Sequence, residues 1–408
     1  MAWTKKFLAV ATACLLLVLP AVGAGGGECL VTGTPYGVGA AAAVVMEAET
    51  GTVLFAQNSQ KRLPMASTTK ILTALLALEE GNIDIPFLVD SDAIQVEGSS
   101  MGLVKGDTVT LRALAGGMLT ASGNDAANAA AVHIAGSIPE FAVLMNKRAA
   151  DIGMKNSSFV TPSGLDAEEH YSTAYDMALL AAEALRNPTF LEMCSAKRLS
   201  LHFGNPAYDR SLYNHNRLLN IYPPAIGIKT GFTRESGRCL VSAARKEDVT
   251  LITVTLNCGD DWNVHQTLYE RYFPMVSRQE IPSPTNLRLP VTGGTSSAVL
   301  AVPERKFSTV LIGGRGKDSK SEVFAPYFAY APIKKGDILG KIVYYIDNEI
   351  LGECNLMAAE DIPIQPPRDT KKSKENTIWH RNSESKRRWE TAASFPDVKP
   401  KNISRPAG

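Results

Sequence analysis

The chain has 408 residues, 45% hydrophobic and 20% charged, with a formal net charge of +1. That is enough apolar material for two cores, and a charge balance this close to zero excludes a generally basic, nucleic-acid-binding surface. Beyond the N-terminus no apolar run reaches the about eighteen residues that a spanning helix needs, so the chain is not polytopic.

The first element expected is a signal peptide over residues 1–24. Lys5 and Lys6 precede an apolar run from Phe7 to Leu19, Pro20 breaks it, and Val22-Gly23-Ala24 offers small residues for cleavage. The protein is therefore expected outside the cytoplasm: secreted, in the wall, or at the outer face of the cytoplasmic membrane. A retained anchor is the competing reading, weakened by the shortness of the run. Lipoprotein processing at Cys14 or Cys29 fits less well, because Glu28 is large and charged and Cys14 interrupts the apolar run. Cys29, Cys194, Cys239, Cys258 and Cys354 are an odd set at irregular spacing, which argues against a disulfide framework. A Cys239–Cys258 bridge stays open if their strands are neighbours. No Cys-x-x-Cys occurs and the six histidines form no His-Glu-x-x-His, so no metal or other cofactor is expected.

Residues 43–56, "AVVMEAETGTVLFA", read as a hairpin of alternating apolar residues around Glu49-Thr50-Gly51. Ile71, Leu72, Leu75, Leu76 and Leu78 then fall at helical spacing over 68–80, with Gly81 as the stop. Helical patterns follow at 110–119, 124–134, 138–151 and 173–186. Strands return at 238–244 and 249–257, joined by the polar "RKED". One antiparallel sheet thus has its two ends on either side of a long helical insertion, an α/β domain expected over 38–275. After about residue 280 prolines cluster and short alternating segments such as "SSAVLAV", "STVLIGG" and "KIVYYI" point to a small all-β domain over 285–362. Residues 366–408 hold eleven Lys and Arg against five acids, a balance of +6, with no apolar periodicity. This segment reads as a disordered, solvated tail suited at most to weak contact with an anionic envelope.

"PMASTTKILT" places Lys70 three residues after Ser67 at the start of the first helix, on the same face. A serine hydroxyl is a poor nucleophile until a base takes its proton, and an ordinary lysine is protonated near neutral pH. Burial and a second cation both disfavour the ammonium form, so this chemistry needs another lysine and a polar relay nearby. Two later segments supply them: Ser122-Gly123-Asn124 at a break between two apolar helices, and Lys229-Thr230-Gly231 just ahead of the returning strand pair. Each has a plainer reading, with Ser67 or Asn124 as a helix cap, Lys70 as a solvated residue, and Lys-Thr-Gly as a turn. A second Ser-x-x-Lys, Ser383 to Lys386, lies in the polar tail. Only the first copy is followed by the other two motifs, in the order Ser-x-x-Lys, Ser-x-Asn, Lys-Thr-Gly, which marks penicillin-binding proteins and class A β-lactamases.

On these motifs the chain resembles the D-alanyl-D-alanine carboxypeptidases, the low-molecular-mass penicillin-binding proteins. The likeness extends to "EAETGTVLFAQNSQKRLPMASTTKILTALLALE", "LTASGNDAANAAA", "FVTPSGLDAEEHYSTAYDMALLA" and "NRLLNIYPPAIGIKTGFTRESGRCLVSAA", and to the all-β domain through "PIKKGDILGKIVYYIDNEILGE". The resemblance implies a transpeptidase-type catalytic domain, an antiparallel sheet flanked by helices, followed by a smaller β domain. Its substrates would be peptidoglycan stem peptides, its inhibitors β-lactams, and nucleic acid would play no part. It implies Ser67 as nucleophile, Lys70 as its base and Ser122 as proton relay beside Lys229. The backbone N–H groups of Ser67 and Phe232 would form the oxyanion hole. Asn124 would bind a substrate carbonyl, and Thr230 and Thr233, with Gly231 between them and Lys229 supplying charge, would hold the terminal carboxylate. His170 and His215 read as packing or hydrogen-bonding residues, and Arg234 and Arg238 have no assigned place. Two departures stand out. "NCGDDWN" lacks the arginine that some relatives carry there, and the tail has Trp379 and Trp389 but no apolar face for lying on a membrane. A β-lactamase would need a deacylating glutamate, and "TPSGLDAEEHYSTAYD" has no Glu-x-x-x-Asn. A wall-binding module without catalysis is the reading from another class.

Overall fold

In the computed structural model, residues 37–313, 318–346 and 348–366 are described; the expected signal peptide, Cys14, Cys29 and all of the basic tail beyond Pro366 lie outside them. The hairpin at the start is β1 (Ala40–Glu47) and β2 (Val53–Gln57). Its turn is tied by Glu47, whose carboxylate accepts the N–H of Thr50 at 2.7 Å and its hydroxyl at 2.8 Å. A single 3₁₀ turn, Ala66–Thr69, leads into α1 (Lys70–Glu79). Two short strands follow, β3 (Phe87–Leu88) and β4 (Thr108–Val109). The helical insertion is α2 (Leu111–Thr120), α3 (Asn124–Ala135), α4 (Ile138–Ile152), α5 (Ala174–Ala184) and α6 (Pro188–Ser195). Next come a hairpin of β5 (Arg198–Gly204) and β6 (Ala207–Tyr213), and the short α7 (Leu218–Ile221). Strands β7 (Ala225–Thr233), β8 (Gly237–Lys246) and β9 (Val249–Cys258) return to the first sheet, and α8 (Asp261–Tyr272) closes this part.

The main sheet is antiparallel in the order β2-β1-β9-β8-β7. Successive side chains of a strand point to opposite faces, and here both faces are covered. Ala42, Val44 and Met46 pack into the core formed with the helical insertion, whereas Ala43 and Val45 pack with Leu268, Tyr269 and Tyr272 of α8. Hence β1 is a continuous apolar run rather than the alternating strand that its sequence suggested.

Three strands return to the sheet rather than two. Gly227 and Gly231 give β7 the look of a turn, but each glycine answers a close approach. Gly227 has a φ of +136° and lies against Cys194, while a Cβ at Gly231 would come within 3.0 Å of the Met65 carbonyl. The short α6, the hairpin β5–β6 and α8 were not among the expected elements, although Leu199, Leu201 and Phe203 alternate along β5 and Leu268, Tyr269 and Tyr272 fall at helical spacing in α8. Nor do Cys239 and Cys258 pair: both are free thiols. In the β8–β9 register Leu240 faces Thr255, so the two cysteines are out of step, and Cys258 faces Ala40 on β1 instead.

The remaining described residues are all β, with their first strand at 276, ahead of the expected 285. Strand β10 (Val276–Ile281) pairs with β13 (Phe307–Ile312). A six-stranded sheet joins β14 (Ser319–Phe324), β16 (Ile338–Ile346), β17 (Glu349–Ala358), β12 (Ala298–Pro303), β11 (Leu287–Thr292) and β15 (Ala329–Tyr330), in that order. Its own core holds Val299, Ile342, Tyr344 and Leu356.

Candidate active site

The turn before α1 sets the geometry. Ala66 has a φ of +48°, and the N–H and hydroxyl of Thr68 both return to the Met65 carbonyl. In a 3₁₀ turn residues i and i+3 eclipse, so the Lys70 Nζ falls 2.9 Å from the Ser67 Oγ. Lys70 is fully buried. Its amine also donates to Asn124 Oδ1 at 2.6 Å and to the Ser163 carbonyl at 2.5 Å. A neutral amine keeps two hydrogens, enough for those two oxygens, and its lone pair is then left for the Ser67 hydroxyl proton. Burial, then the charge of Lys229, hold the Lys70 pKa well below the usual lysine value, with Asp125 opposing them.

Ser122 lies in the break between α2 and α3 with a φ of +59°. The Lys229 Nζ, from the middle of β7, donates to its Oγ at 3.0 Å and to the Thr230 carbonyl at 2.8 Å. Lys229 is buried as well, which lowers its pKa to about 7. Gly231 lets β7 lie against the turn that carries Ser67, since a Cβ there would stand 3.1 Å from the Ser67 nitrogen. One residue further, Phe232 leaves its ring in solvent. Thr233 turns its hydroxyl to Asp166 at 2.9 Å and to Ser236 at 2.8 Å.

Asn124 is not the cap of its helix: that place falls to Gly123, and the amide side chain is engaged elsewhere. Besides accepting from Lys70 at Oδ1, it donates through Nδ2 to the Glu97 carbonyl at 2.6 Å. The loop supplying Glu97 is pinned by Asp125, which no motif had singled out although it directly follows Ser-Gly-Asn. Ser163 was missed for a plain reason: its contribution is a carbonyl, which residue type does not reveal.

His170 joins the site from behind. It is buried, accepts the Val160 N–H at Nδ1 and meets the Thr69 hydroxyl through Nε2 at 3.0 Å. That is the hydrogen-bonding role expected of it. His215 is held through its backbone N–H to the Thr120 carbonyl, and burial followed by the charge of Lys229 lowers its pKa. Arg238 pairs with Asp261 at 2.6 Å and lies over the Trp262 ring, so its charge is already engaged.

A serine beside a buried lysine, with a second serine–lysine pair behind it, fits a serine hydrolase. The catalytic unit with its appended β domain is the architecture of penicillin-binding proteins. The family described as D-alanyl-D-alanine carboxypeptidase matches residues 31–259, and the penicillin-binding protein 5 C-terminal domain matches 276–363. The chain belongs to the D-alanyl-D-alanine carboxypeptidase family, whose members are serine hydrolases. It is 35% identical to the D-alanyl-D-alanine carboxypeptidase DacF of Bacillus subtilis over 339 residues, covering 79% of this chain and 86% of that protein. Against DacA of Haemophilus influenzae the identity is 28%, covering 81% and 86%. The crystal structure of penicillin-binding protein 5 from Haemophilus influenzae superposes with a TM-score of 0.63 at 27% identity, over 81% of this chain and 99% of that one. A peptidoglycan synthesis regulatory factor (PBP3) from Streptococcus pneumoniae, at 22% identity and a TM-score of 0.68, shares the fold over 80% of this chain and 100% of its own.

Proposed function

We propose that the protein is exported and removes the terminal D-alanine from peptidoglycan stem pentapeptides through an acyl-enzyme on Ser67. Ser67 Oγ attacks the carbonyl between the two D-alanines while its proton passes to the neutral Lys70 amine. The resulting oxyanion lies against the backbone N–H groups of Ser67 and Phe232. As the tetrahedral intermediate collapses, the Ser122 hydroxyl passes a proton to the departing D-alanine nitrogen. Ser122 regains its proton from the Lys70 ammonium, which restores the neutral amine, and Lys229 supplies the positive field around that relay. Asn124 orients the substrate's peptide carbonyl, and Thr230 and Thr233 hold its terminal carboxylate. Water then hydrolyses the ester on Ser67 and frees the shortened peptide. A β-lactam acylates the same oxygen but leaves slowly.

The observation that carries this reading is the 2.9 Å contact of a fully buried Lys70 amine with Ser67 Oγ. Among the described residues no carboxylate is hydrogen-bonded to either Ser67 or Lys70, which disfavours a β-lactamase that deacylates through a glutamate. The test is release of D-alanine from a pentapeptide ending in D-Ala-D-Ala, alongside labelling by fluorescent penicillin. Ser67→Ala should lose both. Undiminished release in that variant would remove Ser67 from the mechanism, and rapid repeated penicillin hydrolysis by the wild type would favour the β-lactamase.

A further inference from the structure

The β domain carries an aromatic segment that its own core does not use. In "FAPYFAY", residues 324–330, all four rings are exposed, Tyr327 at 97% and Tyr330 at 70%. Phe328 and Tyr330 pack edge to face at 5.2 Å, and Phe324 and Tyr327 lie in the same seven-residue stretch. The segment joins β14 to β15, which stand at opposite edges of the six-stranded sheet. Five peptide steps reach about 18 Å at most, less than the roughly 24 Å width of six flat strands. The sheet must curl, and the aromatic segment bridges the gap between its edges along one rim.

The basic tail leaves from the same rim. Tyr330 faces Thr292 in the β11–β15 register, and the next residue but one along, Gly294, faces Ile364. Gln365 then donates its N–H to the Gly293 carbonyl at 2.8 Å, one residue before the described chain stops at Pro366. Locally the charges balance: the Asp337 and Asp361 carboxylates accept the backbone N–H groups of Lys334 and Lys335. The excess positive charge, +6, belongs to the tail that starts beside the rings.

We infer that segment 324–330 docks on an anionic lipid surface, with its rings at the headgroup level and the tail held to the negative charge. The segment has no charged or amide side chain with which to read a sugar or a particular protein. Rings with an apolar body, half of them tipped by a hydroxyl, suit the boundary between lipid and water. Neither signal suffices alone, because a small apolar insertion binds only marginally unless a polybasic stretch accompanies it. The proposal rests on the export reading for its setting in the cell, but not for the lipid contact itself.

The test is co-sedimentation with vesicles of phosphatidylglycerol and phosphatidylcholine, or of phosphatidylcholine alone. The chain used begins after residue 24, since the apolar leader would insert by itself, and release of D-alanine is followed in parallel. Binding to the anionic vesicles is expected, falling steeply in about 0.5 M salt. Tyr327→Ser/Phe328→Ser and a chain ending at Pro366 should each bind about tenfold more weakly or worse, with D-alanine release unchanged. Tyr327→Trp should shift its emission to the blue on the anionic vesicles. The proposal falls if the serine variant or the shortened chain binds as the wild type does, or if neutral vesicles bind equally. It also falls if the emission of the Tyr327→Trp variant stays unmoved because the tail already covers the rings, or if insoluble peptidoglycan captures the protein and vesicles do not. Loss of D-alanine release by the wild type would strike the proposed function and leave the lipid result standing.

Discussion

The Asp125 carboxylate accepts the backbone N–H of Met101 at 2.9 Å and, through its other oxygen, those of Gly102 and Leu103 at 3.1 and 3.0 Å. The Ser100 hydroxyl adds a fourth bond at 2.5 Å. This one side chain therefore fixes the loop whose Glu97 and Ser99 carbonyls hold the amide and the backbone N–H of Asn124. Its effect reaches Lys70 in two ways, by position through Asn124 and by charge.

The two effects are separable. Asp125→Ala leaves several N–H groups unpaired, each costing about 1–3 kcal/mol if they stay buried. Acylation by labelled penicillin should fall by about a hundredfold or more. Asp125→Asn keeps the shape and removes the charge that raises the Lys70 pKa. Its acid limb of acylation should move to lower pH, whereas a purely structural loss would lower the rate without moving the limb. An unmoved limb in Asp125→Asn would confine the residue to holding the loop.

Lys229 should act in the opposite direction. Its charge lowers the Lys70 pKa, so Lys229→Gln should make Lys70 easier to protonate and move the acid limb to higher pH. A stability trend follows from the same burial. The folded amine has a pKa of about 7 against an unfolded value near 10.5, so between those values the unfolded chain binds the extra proton. The Lys229 contribution to stability therefore improves as pH rises from about 7 to 10.5, and below 7 the full burial cost is present. Thermal unfolding of Lys229→Met and wild type, compared across that window, should show the variant's relative stability declining with pH. A constant difference would mean that Lys229 keeps its proton in the fold.

Gly164 shows how tightly the segment carrying Ser163 is fitted. With a φ of +81° it occupies the left-handed region, and an added Cβ would collide with the Ala66 carbonyl and stand 2.8 Å from Thr69 Oγ1. Gly164→Ala should displace the Ser163 carbonyl or the Ser67 turn and lower acylation by at least about tenfold, with a stability loss of about 1–3 kcal/mol. Wild-type labelling and an unchanged melting temperature in this variant would show that the turn can give way.

Much of this was legible in the sequence because it depends on residue type and period. The trio of motifs, the hairpin turn at Glu49-Thr50-Gly51 and the helix of Ile71, Leu72, Leu75 and Leu78 each leave such a mark. What stayed hidden is carried by groups every residue owns. The carbonyls of Ser163 and Glu97 hold the Lys70 amine and Asn124, and no pattern announces a carbonyl. Strand β7 was not expected, and Lys229-Thr230-Gly231 left a turn open as its plainer meaning because glycine permits many conformations; here Gly231 serves the close passage of two backbones. Asp125 lay in plain view, but its role depends on a loop 22 to 25 residues earlier in the chain.

His170 links the site to acid stability. Its Nδ1 accepts the Val160 N–H, so the ring proton sits on Nε2 and is donated to Thr69 Oγ1, one residue before Lys70. Protonating Nδ1 would set two hydrogens against each other, and burial pushes the pKa down to about 4 from the usual 6.5. Between those values the unfolded chain binds a proton that the folded one refuses. Stability from this group is thus fully present above about 6.5 and is lost as pH falls to about 4, by roughly 3 kcal/mol. His265, also buried and pushed down to about 3, extends the loss to lower pH. Chemical denaturation of the wild type at pH 7 and pH 4.5 should reveal the decline. His170→Gln, whose amide does not titrate, should be less stable at pH 7 yet show a shallower fall between the two. If the slopes coincide, the histidine is already free to take up a proton in the fold, and its bond to Thr69 does not steady the turn that presents Ser67.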